Sequence, residues 1–395
     1  MTIIGGGPAG CATALALARR GIHRVTVIEA GDYSAIRVGE SIPPQINAAF
    51  SRLGILDDFL AEKHEPCVGS CSVWGNDQPG FNDFIASPHG PGWHLDRRRF
   101  EAFLARCVRQ RGMQLRTRTR FRAIEPQPGG GFRLEISDES GRPQTLEADV
   151  VVDAGGVQAL LATRLGARKR ILDRLLVVCS FFELGRHEDF ARQTLLEAVE
   201  YGWWYAARLP DRKLVVAVAS DATTLKSMRL NEARQWRQSL ARTRHLATAL
   251  SKAEWRRRKL NVLLAASSIL EPCAGPGWLA VGDAASCYDP ISAQGIHKAL
   301  GNALAAADAI VAGMQTAEPA PGPSSLDQAM MGPAGRYSAG IRREFQDYLA
   351  GRNHFYDLER RWPQSGFWSS RRKPLAGRAD ARKAAPGPDL WRPAP

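Results

Sequence analysis

Three glycines, Gly5-x-Gly7-x-x-Gly10, stand between the apolar stub Thr2–Ile4 and a run of small and apolar residues from Pro8 to Arg20. A backbone bare of side chains can turn tightly out of a strand, bring main-chain N–H groups against a pyrophosphate, and let the next helix pack close to that strand. The spacing therefore predicts a strand–turn–helix unit with an anion at the positive end of the helix. Arg24–Glu29 reads as the second strand and completes the context such a fingerprint needs. Glu29 closes that strand about twenty residues on, where a carboxylate accepts hydrogen bonds from both hydroxyls of a ribose. Gly5, Gly7, Pro8, Ala9, Gly10 and Glu29 are the first candidate cofactor-binding residues.

A fingerprint of this kind serves NAD and FAD alike, so a second element has to decide between them. Trp278-Leu279-Ala280-Val281-Gly282-Asp283-Ala284-Ala285 is an apolar strand ending in Gly-Asp, and it leads to Asp289-Pro290 and to Gly295-Ile296 at a helix start. Asp283 is suited to hold a ribityl or ribose hydroxyl, and the helix start at Gly295 to present N–H groups to the electron-rich edge of a flavin ring. A buried aspartate capping a helix is the structural alternative for Asp283.

Between these elements the pattern predicts helices over Gln45–Leu53, Leu56–Lys63 and Arg97–Gly112 and strands over Val68–Trp74, Gln114–Thr119, Phe132–Ile136 and Ala148–Asp153. Leu175–Glu183, Trp203–Arg208 and Leu214–Ala219 follow with no helix between them, which points to an antiparallel sheet rather than continued βαβ winding. A helical stretch over Asn231–Arg244, a strand over Val262–Ile269 and helices over Ala293–Ala312 and Tyr337–Arg361 complete the reading. The expected fold is α/β: a Rossmann-like dinucleotide-binding domain interrupted by an antiparallel β-sheet substrate domain, with a C-terminal helical segment. The expected division is 1–170 with 260–315 for the cofactor, with 64–96 lending strands to the substrate sheet, and 171–259 for the substrate. A helical region over 316–363 follows, with a linker at Pro319–Pro323, then a basic, proline-rich tail without fixed structure over 364–395.

Composition narrows the class. With 44% hydrophobic and 24% charged residues, the chain reads as ordinary globular protein. No run approaches the roughly 18 apolar residues of a membrane helix, and no signal peptide is evident, so no membrane span and a cytoplasmic location are expected. The 7 cysteines are scattered and odd in number, as reduced thiols are. Cys67 and Cys71 lack a second pair of ligands, so no metal site is expected. The net charge of +13 is largely arginine at 106–120, 256–258 and 371–372, outside any nucleic-acid-binding motif. No nucleic-acid partner is expected, while a basic surface for an acidic protein substrate remains open.

The order of Gly5–Gly10, Glu29, Arg37-Val38-Gly39-Glu40-Ser41, His94-Leu95-Asp96-Arg97, Asp149–Gly156 and Gly282-Asp283…Asp289-Pro290 resembles flavin-dependent monooxygenases with the p-hydroxybenzoate hydroxylase type of FAD fold. Flavin-dependent halogenases and their non-halogenating relatives are nearest, and the resemblance covers residues 1–315. It implies FAD as cofactor, with Arg37, Ser41 and Arg97 close to it and the stretch containing Pro290, Gly295 and Ile296 along the isoalloxazine. Halogenases place a lysine where this chain has Pro66-Cys67, with Lys63 off register. The tryptophan halogenases have a glutamate at the position of Ser292, and their Trp-x-Trp-x-Ile-Pro motif is replaced by Trp203-Trp204-Tyr205-Ala206-Ala207.

The segments Gly39–Pro44, Gly202–Tyr205 and Ser286–Ser292 resemble the flavoproteins that mature tryptophylquinone enzymes, nearest to those serving the cysteine tryptophylquinone subunit of quinohemoprotein amine dehydrogenase. This implies hydroxylation of an indole or phenol ring through a flavin hydroperoxide, with O2 as co-substrate and the ring on a tryptophan of a partner polypeptide. The absence of a second glycine fingerprint leaves the electron source as NAD(P)H docking transiently or a separate reducing partner. His94, Glu40 and His297 are candidate proton carriers. Trp203, Trp204 and Tyr205 either wall the substrate pocket or pack in a core. A halogenase-like or reductase enzyme acting on a small molecule, and a non-catalytic FAD-binding maturation chaperone, stay as alternatives.

Overall fold

The computed structural model describes residues 1–185, 190–251, 259–315 and 332–373; the arginine run 256–258, the linker 319–323 and the segment from 374 onward lie outside them. Thr2–Ile4 is buried at every position because it is the middle of a parallel sheet, with Val151–Asp153 on one side and Thr26–Ile28 on the other. A strand covered on both faces has no polar side to show, so it reads as a continuous apolar run. Gln114–Arg116 lies beyond Thr26–Ile28. Trp278–Ala280 lies beyond Val151–Asp153 and pairs with the antiparallel edge Ala274–Gly275.

The helix Pro8–Ala18 buries nine of its 11 residues between this sheet and the helix Gly295–Gln315. Alanine and glycine dominate both helices, and small side chains let the two backbones approach closely.

The second body is a seven-stranded sheet in the order Asn261–Leu264, Leu175–Glu183, Lys213–Asp221, Gly202–Leu209, Gln193–Val199, Gly69–Val73, Pro79–Asp83. Its pairings are antiparallel except for the parallel contact of Gln193–Val199 with Gly69–Val73. Side chains alternate between faces along each strand. Val178, Phe182, Trp204, Val216 and Val218 meet Trp236 and Leu240 of the helix Ala233–Ala241 on one face. On the other, Val177, Cys179, Trp203, Ala217 and Ala219 meet Tyr356, Phe367 and Trp368, with Val38 and Ile291 packed against the same cluster.

Several expectations need correction. Ala148–Asp153 is not one strand: Pro143–Ala148 closes a hairpin with Phe132–Ser137, and Val151–Asp153 alone enters the parallel sheet. Val262–Ile269 likewise divides, Asn261–Leu264 joining the large sheet and Ser268–Glu271 a small one with Arg168–Ile171 and Ser286–Cys287. Within 64–96, Gly69–Val73 and Pro79–Asp83 belong to the large sheet, while Glu65–Cys67 and Gly92–His94 pair with each other, and Ser41–Ile42 joins them. The region expected to be a tail from residue 364 opens instead with a helix, Gly366–Arg371, capped by the Ser365 hydroxyl. Phe367 and Trp368 are fully buried there, and burying two such side chains at about 1.5–3 kcal/mol each offsets the cost of ordering a short helix.

Candidate active site

Two glycines of the fingerprint are closed to any side chain. Gly5 holds φ +105°, and a Cβ there would lie 2.2 Å from the Ala154 carbonyl oxygen; a Cβ on Gly10 would lie 1.8 Å from that of Gly5. Gly7 has nothing within 4 Å of its Cβ position, so the turn is tight toward the protein and open toward the cleft. The Glu29 carboxylate bridges this turn, one oxygen accepting from Gly6 N and the other from Gly31 N, both at 2.7 Å. Each oxygen keeps a second lone pair, and the two anchors fix its orientation. Gly282, at φ +61°, presses against Ala9, where a Cβ would come within 2.6 Å of the alanine methyl. The Gly-Asp turn, read from the far end of the sequence, therefore sits on the first turn of the fingerprint helix, with the Asp283 side chain half-exposed beside it.

Arg37 and Arg97 meet on a residue the sequence reading missed. Glu101, buried, lies 2.9 Å from Arg37 Nε and 2.5 Å from Arg97 Nη2. Arg97 also donates to the carbonyls of Val38 and Gly39, tying the loop 37–41 to the helix Arg97–Gln110. Two guanidinium groups share one carboxylate, which leaves a net positive charge suited to a pyrophosphate. The i,i+4 spacing of Arg97 and Glu101 was the available signal.

Ser41, expected beside the cofactor, turns its hydroxyl to the large sheet, 2.8 Å from Tyr205 Oη and 3.1 Å from Thr194 Oγ1. Thr194 in turn lies 2.9 Å from His94 Nε2. The result is a continuous string of hydroxyls from the cofactor loop into the sheet, ending on an imidazole that burial pushes down to about 4 and so keeps neutral. Glu40 is buried beside the string, with Oε2 accepting from Gly39 N at 3.0 Å and Oε1 without a partner. Burial pushes its carboxyl up to about 7, against the opposing pull of Arg97. His297 is elsewhere; burial first and the nearby His89 second lower it.

The sign for Glu40 follows from linkage. A folded-state value above the unfolded one favours the neutral form, so its stabilising effect is complete below the unfolded value and lost as pH rises through about 7. Removing a proton from such a group costs about 3 kcal/mol in total, at about 1.4 kcal/mol per pH unit. Glu40→Gln is expected to flatten the fall in stability between acidic and neutral pH, read as urea midpoints across that range; an unchanged slope would place the titration on another group.

Trp203, Trp204 and Tyr205 do not form one wall. They are consecutive on a strand, so Trp204 faces away from the other two, edge-on to Trp236 at 5.0 Å and donating to Tyr201 Oη at 3.1 Å. Trp203 donates to Tyr356 Oη at 3.1 Å. Tyr356 is 2.8 Å from Asp289 Oδ2, in the turn that carries Pro290 and leads to Gly295 and Ile296. Asp289 is wholly buried, Arg352 Nε and Arg371 Nη1 approach it at 3.5 and 3.9 Å, and both arginines pair with Asp173 at 2.9 and 2.8 Å. The turn expected along the isoalloxazine is thus held through its own Asp289 by one further acid, Asp173, and two arginines, Arg352 and Arg371, from three distant segments. The helix Gly295–Gln315 begins at its end, and the N–H groups of a first helical turn have no partner within the helix.

A glycine cradle closed to side chains at Gly5 and Gly10, an acid fixed at its second strand and a Gly-Asp turn pressed onto its helix fit an adenine dinucleotide carrying a flavin, the cofactor of an FAD-dependent oxidoreductase. The FAD binding domain family matches residues 1–321, and the chain belongs to that family. Among curated proteins it is 32% identical over 375 residues to LodB of Marinomonas mediterranea, classed as an FAD-dependent oxidoreductase, covering 93% of this chain and 95% of that one. It is 23% identical over 325 residues to the tryptophan 2-halogenase of Chondromyces crocatus, covering 78% of this chain and 60% of that enzyme. Among solved structures, the flavin-dependent halogenase CmlS superposes with a TM-score of 0.82 at 27% identity, over 94% of this chain and 67% of that one. The peptidyl tryptophan dihydroxylase QhpG, essential for tryptophylquinone cofactor biogenesis, gives 0.67 at 23% identity over 94% and 77%. Among the described residues no helix is long and apolar enough to cross a membrane.

Proposed function

We propose that this oxidoreductase is a monooxygenase that hydroxylates an aromatic ring, the indole of a tryptophan in a partner polypeptide, during tryptophylquinone cofactor formation. The observation that carries this reading is the chemistry of the side chains between the cofactor loop and the large sheet. Ser41, Thr194, Tyr205 and His94 form a string of neutral groups. Buried Cys67, its thiol 3.2 Å from the Gly69 carbonyl, stands where halogenases carry their lysine, and Lys63 is exposed. Ser292 replaces the acid of the tryptophan halogenases. The likeness to QhpG supports a polypeptide substrate, and the net charge of +13 suits an acidic one.

Bound FAD supplies the two-electron reduction of dioxygen and the delivery of one oxygen atom. The balance is ring C–H, O2, NAD(P)H and a proton giving ring C–OH, water and NAD(P)+, with NAD(P)H acting directly or through a reducing partner. Gly5, Gly7, Pro8, Ala9, Gly10, Glu29, Arg37 and Arg97 would hold the cofactor, with Asp283 toward its sugar-alcohol chain and Pro290, Gly295 and Ile296 toward its ring. The buried sheet face keeps water from the reacting centre. Glu40, whose carboxyl burial raises to about 7 and whose Oε1 has no partner, is with His94 and His297 a candidate carrier of the proton that the ring carbon loses.

Incubating the FAD-loaded protein with NAD(P)H, a reducing system and a tryptophan-containing partner polypeptide in air is expected to add one or two oxygen atoms to the polypeptide by mass. A halogenated product when halide is added would replace this reading with the halogenase one, which the likeness to CmlS favours. Bound FAD with no added oxygen would point to a reductase or a maturation chaperone.

A further inference from the structure

Lys298 is a cation sealed inside the cofactor half of the molecule. It stands in the first turn of the helix Gly295–Gln315, among buried Ile296, Ala299 and Leu300, with a side chain only 3% exposed. Its ammonium group donates to Asp283 Oδ1 at 2.9 Å and to the Ser286 carbonyl, and it lies 4.8 Å from the centre of the Tyr288 ring. Asp283 is the carboxylate in contact with it; Glu344, further off, is engaged by Asn302 at 2.9 Å. Asp283 is itself 48% exposed, beside the contact of Gly282 with Ala9.

An apolar side chain of the same length would fill the space of Lys298 without dehydrating a charge, so stability alone does not account for it. Its geometry does have a use once the cleft is filled. A cofactor lying along the fingerprint would meet the exposed half of Asp283, and a carboxylate recognises one hydroxyl of a flexible chain only when its own orientation is fixed. Lys298, itself held by a carbonyl and a ring, occupies one oxygen of Asp283 and so fixes that orientation.

We infer that Lys298 is a positioning residue for FAD: it orients Asp283, so that the carboxylate accepts a hydrogen bond from the sugar-alcohol chain of the cofactor. This rests on the assignment of Asp283 to the FAD cleft. Lys298 acts through Asp283, so the two residues form one unit toward the cofactor, and their substitutions do not add.

The test is titration of FAD into apoprotein by flavin fluorescence, with the apoprotein melting temperature as a parallel reading. Lys298→Met is expected to raise the FAD dissociation constant at least tenfold, about 1.4 kcal/mol, while the apoprotein melts no lower than wild type, because a buried charge has been removed. Lys298→Gln keeps one donor to Asp283 without the charge and is expected to fall between. Asp283→Asn/Lys298→Met is expected to match Asp283→Asn alone. Wild-type affinity in both lysine variants beside a weakened Asp283→Asn would overturn the inference and leave the Asp283 assignment standing. Wild-type affinity in Asp283→Asn and Asp283→Ala would remove that assignment itself. Effects of the two substitutions that simply add, with a lowered apoprotein melting temperature, would reduce Lys298 to a packing residue.

Discussion

Gly10→Ala is expected to yield a colourless protein. The new methyl group would lie 1.8 Å from the Gly5 carbonyl oxygen and 3.1 Å from the Ala154 side chain. The oxygen is backbone in the turn itself and cannot swing aside as a long side chain would. The helix has to lift from the strand, and the N–H groups that cradle the pyrophosphate move with it. Overpacking in a tight core costs about 1–3 kcal/mol and more where nothing yields, so the chemical unfolding midpoint should fall as well as the flavin absorbance. Gly301→Ala is the internal control: it lies in a helix with nothing within 4 Å of its Cβ position and should gain about 0.5–1 kcal/mol through the chain entropy of the unfolded state. A yellow, stable Gly10→Ala protein would mean that the fingerprint does not hold the cofactor.

The second large effect is expected at Arg352. Its guanidinium is fully buried and serves both Asp173 and Asp289, so Arg352→Met leaves two buried acids with Arg371 alone. Breaking a buried ion pair from one side costs about 3–5 kcal/mol, because the stranded charge has neither water nor partner. Asp289 also organises the turn before Gly295 by accepting from Ile291 N at 3.0 Å, so FAD retention should fall with stability. Arg360, 72% exposed and paired with Asp357, provides the contrast, since removing an exposed pair changes stability by about 0–1 kcal/mol. Equal losses at the two arginines would deny the buried cluster its role.

What was legible in the sequence was local. The cradle of Gly5, Gly7 and Gly10 with Glu29 falls within one supersecondary unit, and at Gly5 and Gly10 backbone geometry demands the glycine, so spacing alone located it. The Gly-Asp turn is remote, but it too is a backbone requirement: Gly282 holds a positive φ and touches Ala9. The cluster behind the flavin turn carried no such signal, because Asp173, Asp289, Arg352 and Arg371 approach one another only after the sheets and C-terminal helices have packed.

Trp203, Trp204 and Tyr205 were grouped because they adjoin in sequence, although strand periodicity already sends the middle one to the opposite face. Gln193–Val199 was missed because leucine, glutamate and alanine suit a helix as well; pairing on both sides makes it a strand. The helix Gly366–Arg371 was hidden by its basic, proline-flanked surroundings, and the burial of Phe367 and Trp368 outweighed that composition.

The lateness of Arg371 in the chain bears on how the molecule is made. A polypeptide leaving the ribosome exposes Asp173 and then Asp289 long before the helix Gly366–Arg371 emerges, and for that interval the two acids lack one of their cations. The turn before Gly295 thus draws its charges from a span that closes only at Arg371, whereas the glycines and Glu29 lie within the first 29 residues. A chain cut short before Arg371 is expected to lose the support of that turn while keeping every residue of the glycine fingerprint.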